Sequence, residues 1–206
     1  MIKKILDKIA NSGDDQKIVL IDPNSLESRA DPDLRIIGMF CDVHEEKVAE
    51  VIHAMLYLNE MNKLDPKNVR PIEFYLSTYG GSADDMFGLY DVMRGIRQET
   101  EIHTLGLGKV MSAGVLLLAA GTKGKRRIAK NCRVMIHSVA AGNHGNLQDL
   151  TNELEAIQDL QDMYTNCLVA ETNMTESDIK DMLNRNVNVY LSAVEAVKLG
   201  IADIIV

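Results

Sequence analysis

Short runs of apolar residues alternate along the chain with longer segments in which apolar residues recur every three or four positions. The short runs are typical of buried strands, and the period of the longer segments predicts amphipathic helices. The predicted strands are Arg35–Phe40, Ile72–Leu76, Glu101–Leu107, Arg133–His137 and Ile201–Val206. Because strands and helices alternate, the pattern predicts an α/β fold with a mostly parallel sheet.

This regular pattern begins only at residue 35. Residues 1–34 contain Pro23 and Pro32 among serines and aspartates, which is typical of loops, and they predict an N-terminal arm. Residues 35–206 contain no internal repeat and no linker, so they predict one domain. The helical stretch 146–173 is long for a globular domain, and we expect it to project towards a neighbouring subunit.

The stretch Gly106–Gly121, GLGKVMSAGVLLLAAG, combines glycines, a serine and an apolar run. It predicts a strand end, a tight turn and a buried helix whose first turn holds Ser112. The first N–H groups of a helix have no partner within the helix and can stabilise an anion, as acyl transfer requires. Ser112 is therefore a candidate nucleophile, and the alternative is that it only caps the helix.

Two further features end predicted strands at the same edge of the sheet, where ligands bind in open α/β folds. The first is the pair Gly80-Gly81, and the second is His137. His137 is a candidate general base for Ser112, and the alternative is a structural histidine. Neither glycine turn matches a nucleotide-binding motif, and Val110 breaks the GxSxG pattern of the α/β-hydrolases.

Composition and charge limit the classes of partner and the cellular compartment that we expect for this protein. The chain has 206 residues, 46% of them hydrophobic, which suits one domain with a sizeable core. A net charge of -8 argues against nucleic acid or an anionic membrane as the main partner. The cysteines Cys41, Cys132 and Cys167 lack metal-ligand spacing and predict buried thiols, with no metal or cofactor. With no secretory signal and no long apolar run, we expect a cytoplasmic protein.

Three local patterns give further expectations. Asp42 and Glu45 have the spacing of a capping box and predict the start of a helix. Ser192 and Glu195 have the same spacing and predict a second such start. The basic segment 122–127, TKGKRR, is predicted to be a solvated turn.

Several segments resemble the catalytic subunit of the Clp protease, the ClpP family of serine peptidases. STYGG at 77–81 stands where the family has SPGG, and the segment 108–126 is similar to its nucleophile helix. RVMIH at 133–137 resembles its histidine motif, and YLSAVEAVKLGIAD at 190–203 resembles its C-terminal segment. The resemblance extends from about residue 35 to residue 205.

The resemblance implies a ClpP/crotonase-like ββα superhelix with a protruding handle helix. It implies a serine endopeptidase that needs no cofactor, with Ser112 as nucleophile and His137 as base. The backbone N–H groups of Gly81 and Ala113 would hold the oxyanion. Family members form two stacked heptameric rings, a tetradecamer, and cleave unfolded polypeptides inside the chamber. A AAA+ Clp unfoldase gates that chamber, but the N-terminal arm does not resemble the family's axial loop, so this partner stays open.

Three positions depart from the family pattern: Asn188 replaces the triad aspartate, Val187 the adjacent arginine, and Tyr79 the proline of SPGG. An asparagine can accept the Nδ1–H of His137 but supplies no negative charge, so we expect a weakened peptidase. The alternative is a catalytically impaired, ClpR-like structural subunit that joins mixed rings with an active ClpP subunit. A third hypothesis is a crotonase-type acyl-CoA enzyme, which has no obvious use for the pair Ser112 and His137.

Overall fold

The computed structural model describes residues 34–142, 144–184 and 187–206. The predicted N-terminal arm lies outside the described residues, apart from Leu34. Residues 35–206 form one compact unit. No helix among the described residues has the length and apolar character needed to cross a bilayer.

The strands form one sheet that branches at its longest member. A parallel path runs in the order β1-β2-β3-β4-β7, β5 pairs with the C-terminal end of β3, and β6 pairs antiparallel with β5. The strands are β1 Ile36–Met39, β2 Ile72–Thr78, β3 Ile102–Met111, β4 Arg127–Ile128, β5 Arg133–Ile136, β6 Val189–Leu191 and β7 Ile204–Ile205. Because β3 is ten residues long, its first half holds β4 and its last three residues hold β5.

The helices lie between the strands, as the periodicity predicts. They are α1 Glu45–Leu64, α2 Ala83–Ile96, α3 Ala113–Ala119, α4 Leu147–Glu171, α5 Glu176–Leu183 and α6 Ala193–Lys198. Every residue of α3 is buried, so this helix forms the centre of the core. In β2 buried and partly buried residues alternate, which places one face of the sheet against the helices. The predicted α/β class is confirmed.

The long helix α4 is attached to the domain by one end. Its buried residues all lie in the C-terminal third: Tyr164, Thr165, Leu168 and Glu171. Three leucines of its first half are exposed: Leu147 by 83%, Leu150 by 40% and Leu154 by 66%. An exposed apolar stripe on a 25-residue helix is a surface that another protein can cover.

Two local expectations are wrong. The first helix has His44 rather than Asp42 as its N-cap, because Val43 instead forms a parallel bridge with Gly81. In the basic segment 122–127, Arg126 is 3% exposed and not solvated. It pairs with Asp203 immediately before β7, so the long-range partner decides its burial. The capping box of Ser192 and Glu195 is confirmed.

Candidate active site

Ser112 occupies a strained position between β3 and α3. Its backbone has φ 52° and ψ −123°, and among the described residues no other non-glycine residue has a positive φ. Such a conformation costs roughly 1–3 kcal/mol and persists only where the surroundings impose it. Ser112 stands at the N-cap position, but its side chain makes no capping hydrogen bond. Its hydroxyl is therefore not used to stabilise the helix.

Three hydrogen bonds hold the Ser112 backbone in this conformation. Its N–H donates to the carbonyl oxygen of Met135 on β5 over 2.8 Å. Its carbonyl oxygen accepts from the N–H of Val115 over 2.9 Å and from the hydroxyl of Tyr164 over 3.0 Å. The conformation is thus fixed by a strand and a helix distant in sequence, together with the first turn of α3.

The glycine turn after β2 packs directly against Ser112. A Cβ at Gly80, which has φ 104°, would lie 2.6 Å from the Ser112 Cβ. A Cβ at Gly81, which has φ 148°, would lie 2.1 Å from the Val43 carbonyl oxygen. Val43 fixes the turn, because its N–H donates to Gly80 O over 2.7 Å and its carbonyl accepts from the Ser82 N–H over 2.9 Å. Only glycine allows this close approach.

The two predicted oxyanion donors have no partner among the described groups. Within the described part of the chain, neither the Gly81 N–H nor the Ala113 N–H donates a hydrogen bond to a protein group. Ala113 is the first residue of α3, where an N–H has no intrahelical acceptor. Both residues line the same cavity as Ser112. Two unpaired amides beside an uncapped hydroxyl are the arrangement that acyl transfer uses.

The cavity beside Ser112 has a volume of about 430 Å³. Gly81, Ser112, Ala113 and His137 contribute to its wall, and its apolar lining residues include Met86, Phe87 and Leu160. A cleft that combines apolar residues with several polar groups can hold a peptide side chain next to a reacting carbonyl.

The sheet brings Ser112 and His137 to this cavity from adjacent strands. Met111 pairs with Met135 in parallel register, so Ser112 and His137 both follow the carboxyl ends of β3 and β5. The His137 ring is half-buried. Among the described residues no hydrogen bond joins it to the Ser112 hydroxyl. Catalytic hydrogen bonds are often long in the free enzyme and shorten once substrate binds.

Asn188 lies one residue before β6, and His137 lies one residue after β5. The two strands pair antiparallel and their pairing ends with Ile136 and Val189, so both residues lie just beyond the same end of this pair of strands. The Asn188 side chain is exposed and does not line the cavity. Among the described residues no hydrogen bond joins it to His137, and its orienting role stays a prediction.

Two cysteine thiols are poor candidates for the nucleophile. Burial raises the pKa of the Cys132 thiol to about 11, and burial is also the main cause of the raised pKa of Cys167. A thiol that stays protonated near neutral pH is a poor nucleophile. The prediction of buried thiols holds for Cys132, whereas Cys41 and Cys167 are only partly buried.

Sequence reasoning missed Tyr164 and Val43, which support the site without belonging to a motif. Tyr164 is four residues from both Leu160 and Leu168, so the helical period places it on the core face. A buried tyrosine needs a partner for its hydroxyl, and this was the available signal. Val43 gave no signal, because its role comes from two backbone bonds. Tyr79 also lines the cavity, and the Lys109 ammonium lies 4.4 Å from the centre of its ring.

These elements define an α/β domain in which a strained serine, a histidine and two amides without a partner among the described groups surround one cleft. The model of the Clp protease family matches residues 30–206. The chain belongs to the Clp protease family. The resemblance to ClpP and the α/β ClpP fold are thereby confirmed, whereas the roles of Ser112, His137, Asn188, Gly81 and Ala113 remain predictions.

Individual relatives support the same family assignment. The chain is 32% identical over 171 residues to the ATP-dependent Clp protease proteolytic subunit 1 of Prochlorococcus marinus, which covers 83% of both chains. It is 32% identical over 170 residues to the subunit 1 of Corynebacterium glutamicum, covering 82% of this chain and 77% of that one. It is 30% identical over 169 residues to the subunit 2 of Frankia casuarinae, covering 82% and 74%.

Proposed function

We propose that this Clp-type protease is a serine endopeptidase that cleaves unfolded polypeptides, with Ser112 as its nucleophile. The observation that carries the proposal is the uncapped hydroxyl of Ser112, held at a positive φ beside His137 in one cavity. Strain of this kind concentrates at functional sites, because surrounding packing must maintain it. No metal or cofactor takes part in the proposed reaction.

The reaction follows from the positions of these groups. Ser112 Oγ attacks the peptide carbonyl carbon while His137 takes its proton. The N–H groups of Gly81 and Ala113 bind the oxygen that becomes negative. His137 then passes the proton to the leaving amine, the C–N bond breaks and an acyl-serine remains. Water activated by His137 hydrolyses that ester and restores the Ser112 hydroxyl.

Asn188 has the role of orienting His137 in this mechanism. Its carbonyl oxygen can accept the Nδ1–H and hold the ring with Nε2 towards Ser112. An amide does not stabilise the imidazolium that forms as the proton moves, whereas a carboxylate does. We therefore expect slow or conditional hydrolysis compared with an enzyme that has aspartate at this position.

The proposal also includes the assembly of several subunits into rings. The exposed residues Leu147, Leu150 and Leu154 follow one side of α4 and would be covered by a second copy, as expected for a helix that joins two rings. We propose heptameric rings stacked as a cytoplasmic tetradecamer. A AAA+ Clp unfoldase is a proposed partner whose docking depends on the N-terminal arm. Size-exclusion chromatography with light scattering tests the ring size directly.

A second function is favoured by one observation. The residue at the triad position is an asparagine whose side chain is exposed and makes no bond to His137. This would suit a ClpR-like structural subunit that joins mixed rings with an active ClpP subunit. Such a subunit would be inert alone and would co-purify with a ClpP-type chain that mass spectrometry identifies.

The decisive experiment compares purified wild type with Ser112→Ala, using a fluorophosphonate probe and a short fluorogenic peptide. We expect the probe to label the wild type at residue 112 and the alanine variant to lose both labelling and hydrolysis, by about 10³-fold or more. Ser192→Ala is the matched control, because it removes a helix-capping serine away from the cavity. Absence of labelling in a folded wild-type tetradecamer would count against the endopeptidase and for the structural subunit.

A further inference from the structure

Tyr164 connects the long helix α4 to the serine. Its side chain is 5% exposed, it lines the cavity, and its hydroxyl donates to the Ser112 carbonyl oxygen over 3.0 Å. Within the described residues, no other side chain makes a hydrogen bond to the Ser112 backbone. The remaining bonds to that backbone come from the main chain of Val115 and Met135 and cannot be removed by changing a side chain.

The carbonyl that Tyr164 binds belongs to the peptide unit that carries the Ala113 N–H. A trans peptide is planar, so its C=O and N–H groups point in opposite directions. A group that fixes the direction of the Ser112 carbonyl therefore also fixes the direction of the Ala113 N–H. That N–H has no acceptor among the described groups and borders the cavity.

The positive φ of Ser112 makes this orientation dependent on outside contacts. A non-glycine residue does not favour φ 52°, so its neighbouring peptide planes stay in place only while the surroundings hold them. Tyr164 also acts electronically, because a hydrogen bond accepted by a peptide oxygen makes the N–H of the same peptide a stronger donor. Burial raises the pKa of the Tyr164 hydroxyl, which keeps it protonated and able to donate.

We propose that Tyr164 is a positioning residue whose hydroxyl aims the Ala113 N–H at the oxygen that becomes negative during peptide cleavage. This inference rests on the proposed peptidase function and adds to it a residue that carries no family motif. The competing explanation is a buried tyrosine that satisfies its hydroxyl and contributes only to stability. The two differ in what they affect, because an oxyanion donor stabilises the transition state more than the bound substrate.

The test is Tyr164→Phe, which removes the hydroxyl and keeps the ring. We expect kcat for the fluorogenic peptide to fall about three- to tenfold, the effect of one neutral hydrogen bond, with KM changed by less than about twofold. A peptide aldehyde, whose hemiacetal oxygen occupies the oxyanion position, should lose affinity in parallel.

The matched control is Tyr90→Phe. Tyr90 is 2% exposed, and its hydroxyl donates to Glu171 Oε1 over 3.0 Å, so the variant removes one buried tyrosine hydrogen bond without a contact to Ser112. We expect this variant to keep its kcat even where its melting temperature falls as far as that of Tyr164→Phe. An equal fall of kcat in both variants, or an unchanged kcat and aldehyde affinity in Tyr164→Phe, overturns the proposal.

Failure of the proposed peptidase function can be distinguished from failure of the proposal for Tyr164. If wild type is neither labelled at Ser112 nor active, the peptidase proposal fails, and crystal structures of wild type and Tyr164→Phe decide the role of Tyr164. Rotation of the Ser112–Ala113 peptide in the variant supports positioning. An unchanged Ser112 φ and an unchanged Ala113 N–H direction overturn it.

Discussion

Among the described residues, the dipeptide Ser-Ala begins three helices: α2 at Ser82, α3 at Ser112 and α6 at Ser192. The hydroxyl of Ser82 caps α2 by accepting from the Asp85 N–H, and Ser192 caps α6. Ser192 has an extended backbone, with φ −74° and ψ 167°, and its hydroxyl and N–H bind the Glu195 carboxylate over 2.7 and 2.8 Å. Ser112 has φ 52° and ψ −123°, and its hydroxyl makes no bond to its helix.

The difference originates in the third helical residue and in the contacts of the serine backbone. Glu195 closes a capping box, whereas the equivalent residue of α3 is Val115, which is fully buried. Around Ser112 the backbone is instead held by β5, Tyr164 and the first turn of its own helix. The same dipeptide thus caps a helix at Ser82 and at Ser192 and holds a candidate nucleophile at Ser112. A serine hydroxyl becomes available for chemistry where its helix does not need it.

Of the changes that separate Ser112 from Ser192, Gly80→Ala should have the largest effect on activity. An added Cβ would lie 2.6 Å from the Ser112 Cβ and 2.9 Å from the Met111 carbonyl oxygen, at a φ of 104°. Displacing Ser112 by about 1 Å should lower kcat/KM for a fluorogenic peptide by about 10²-fold. Gly88→Ala is the control, because a Cβ there meets no atom within 4 Å and should leave hydrolysis intact. Full activity in Gly80→Ala would show that Ser112 does not need its present position.

Asn188→Asp should raise the peptide hydrolysis that depends on Ser112, and the expected factor is smaller. If residue 188 orients His137 as proposed, a carboxylate there would stabilise the imidazolium, and we expect peptide hydrolysis to rise about tenfold or more. The measurement is kcat for the fluorogenic peptide. Asn152→Asp adds the same charge on the exposed face of α4 and should leave the rate unchanged. A flat or lower rate in Asn188→Asp refutes the orienting role given to Asn188.

Changes at Ser192 should affect stability alone and give the smallest effect. Ser192→Ala should lower the free energy of unfolding by about 1 kcal/mol, as loss of an N-cap does, and retain fluorophosphonate labelling at Ser112. Chemical denaturation at pH 7 provides the measurement. Loss of labelling in this variant would mean that α6 also shapes the site.

The Ser192 cap also has a pH signature. The backbone N–H and hydroxyl of Ser192 hold the pKa of Glu195 below its ordinary value. The stabilisation by this carboxylate is therefore present above the pKa of the unfolded chain and is lost as the pH falls through the lower pKa of the folded protein. We expect wild type to exceed Glu195→Gln in stability at pH 7, with the difference vanishing in acid.

Much of the site could be predicted because its motifs are local. Ser112, His137 and the turn Gly80-Gly81 each end a predicted strand, and strand ends at one edge of a parallel sheet converge. Tyr164 was not predicted as part of the site, because the residue it binds lies 52 positions away. Arg126 was assigned to a solvated turn because its partner Asp203 lies 77 positions further on. Such pairings depend on how the elements pack, which a local pattern does not contain.

By itself, the sequence determined the alternation of strands and helices, the capping box of α6 and membership of the Clp protease family, because each depends on residues close together or on an ordered set of motifs. Only the tertiary structure decided the positive φ of Ser112, the bond from Tyr164 and the placement of residues 137 and 188 beyond the same end of the β5–β6 pair. The physical reason is that a strained backbone and a distant hydrogen bond cannot persist alone. They exist where a packed core and a paired sheet hold several remote segments together.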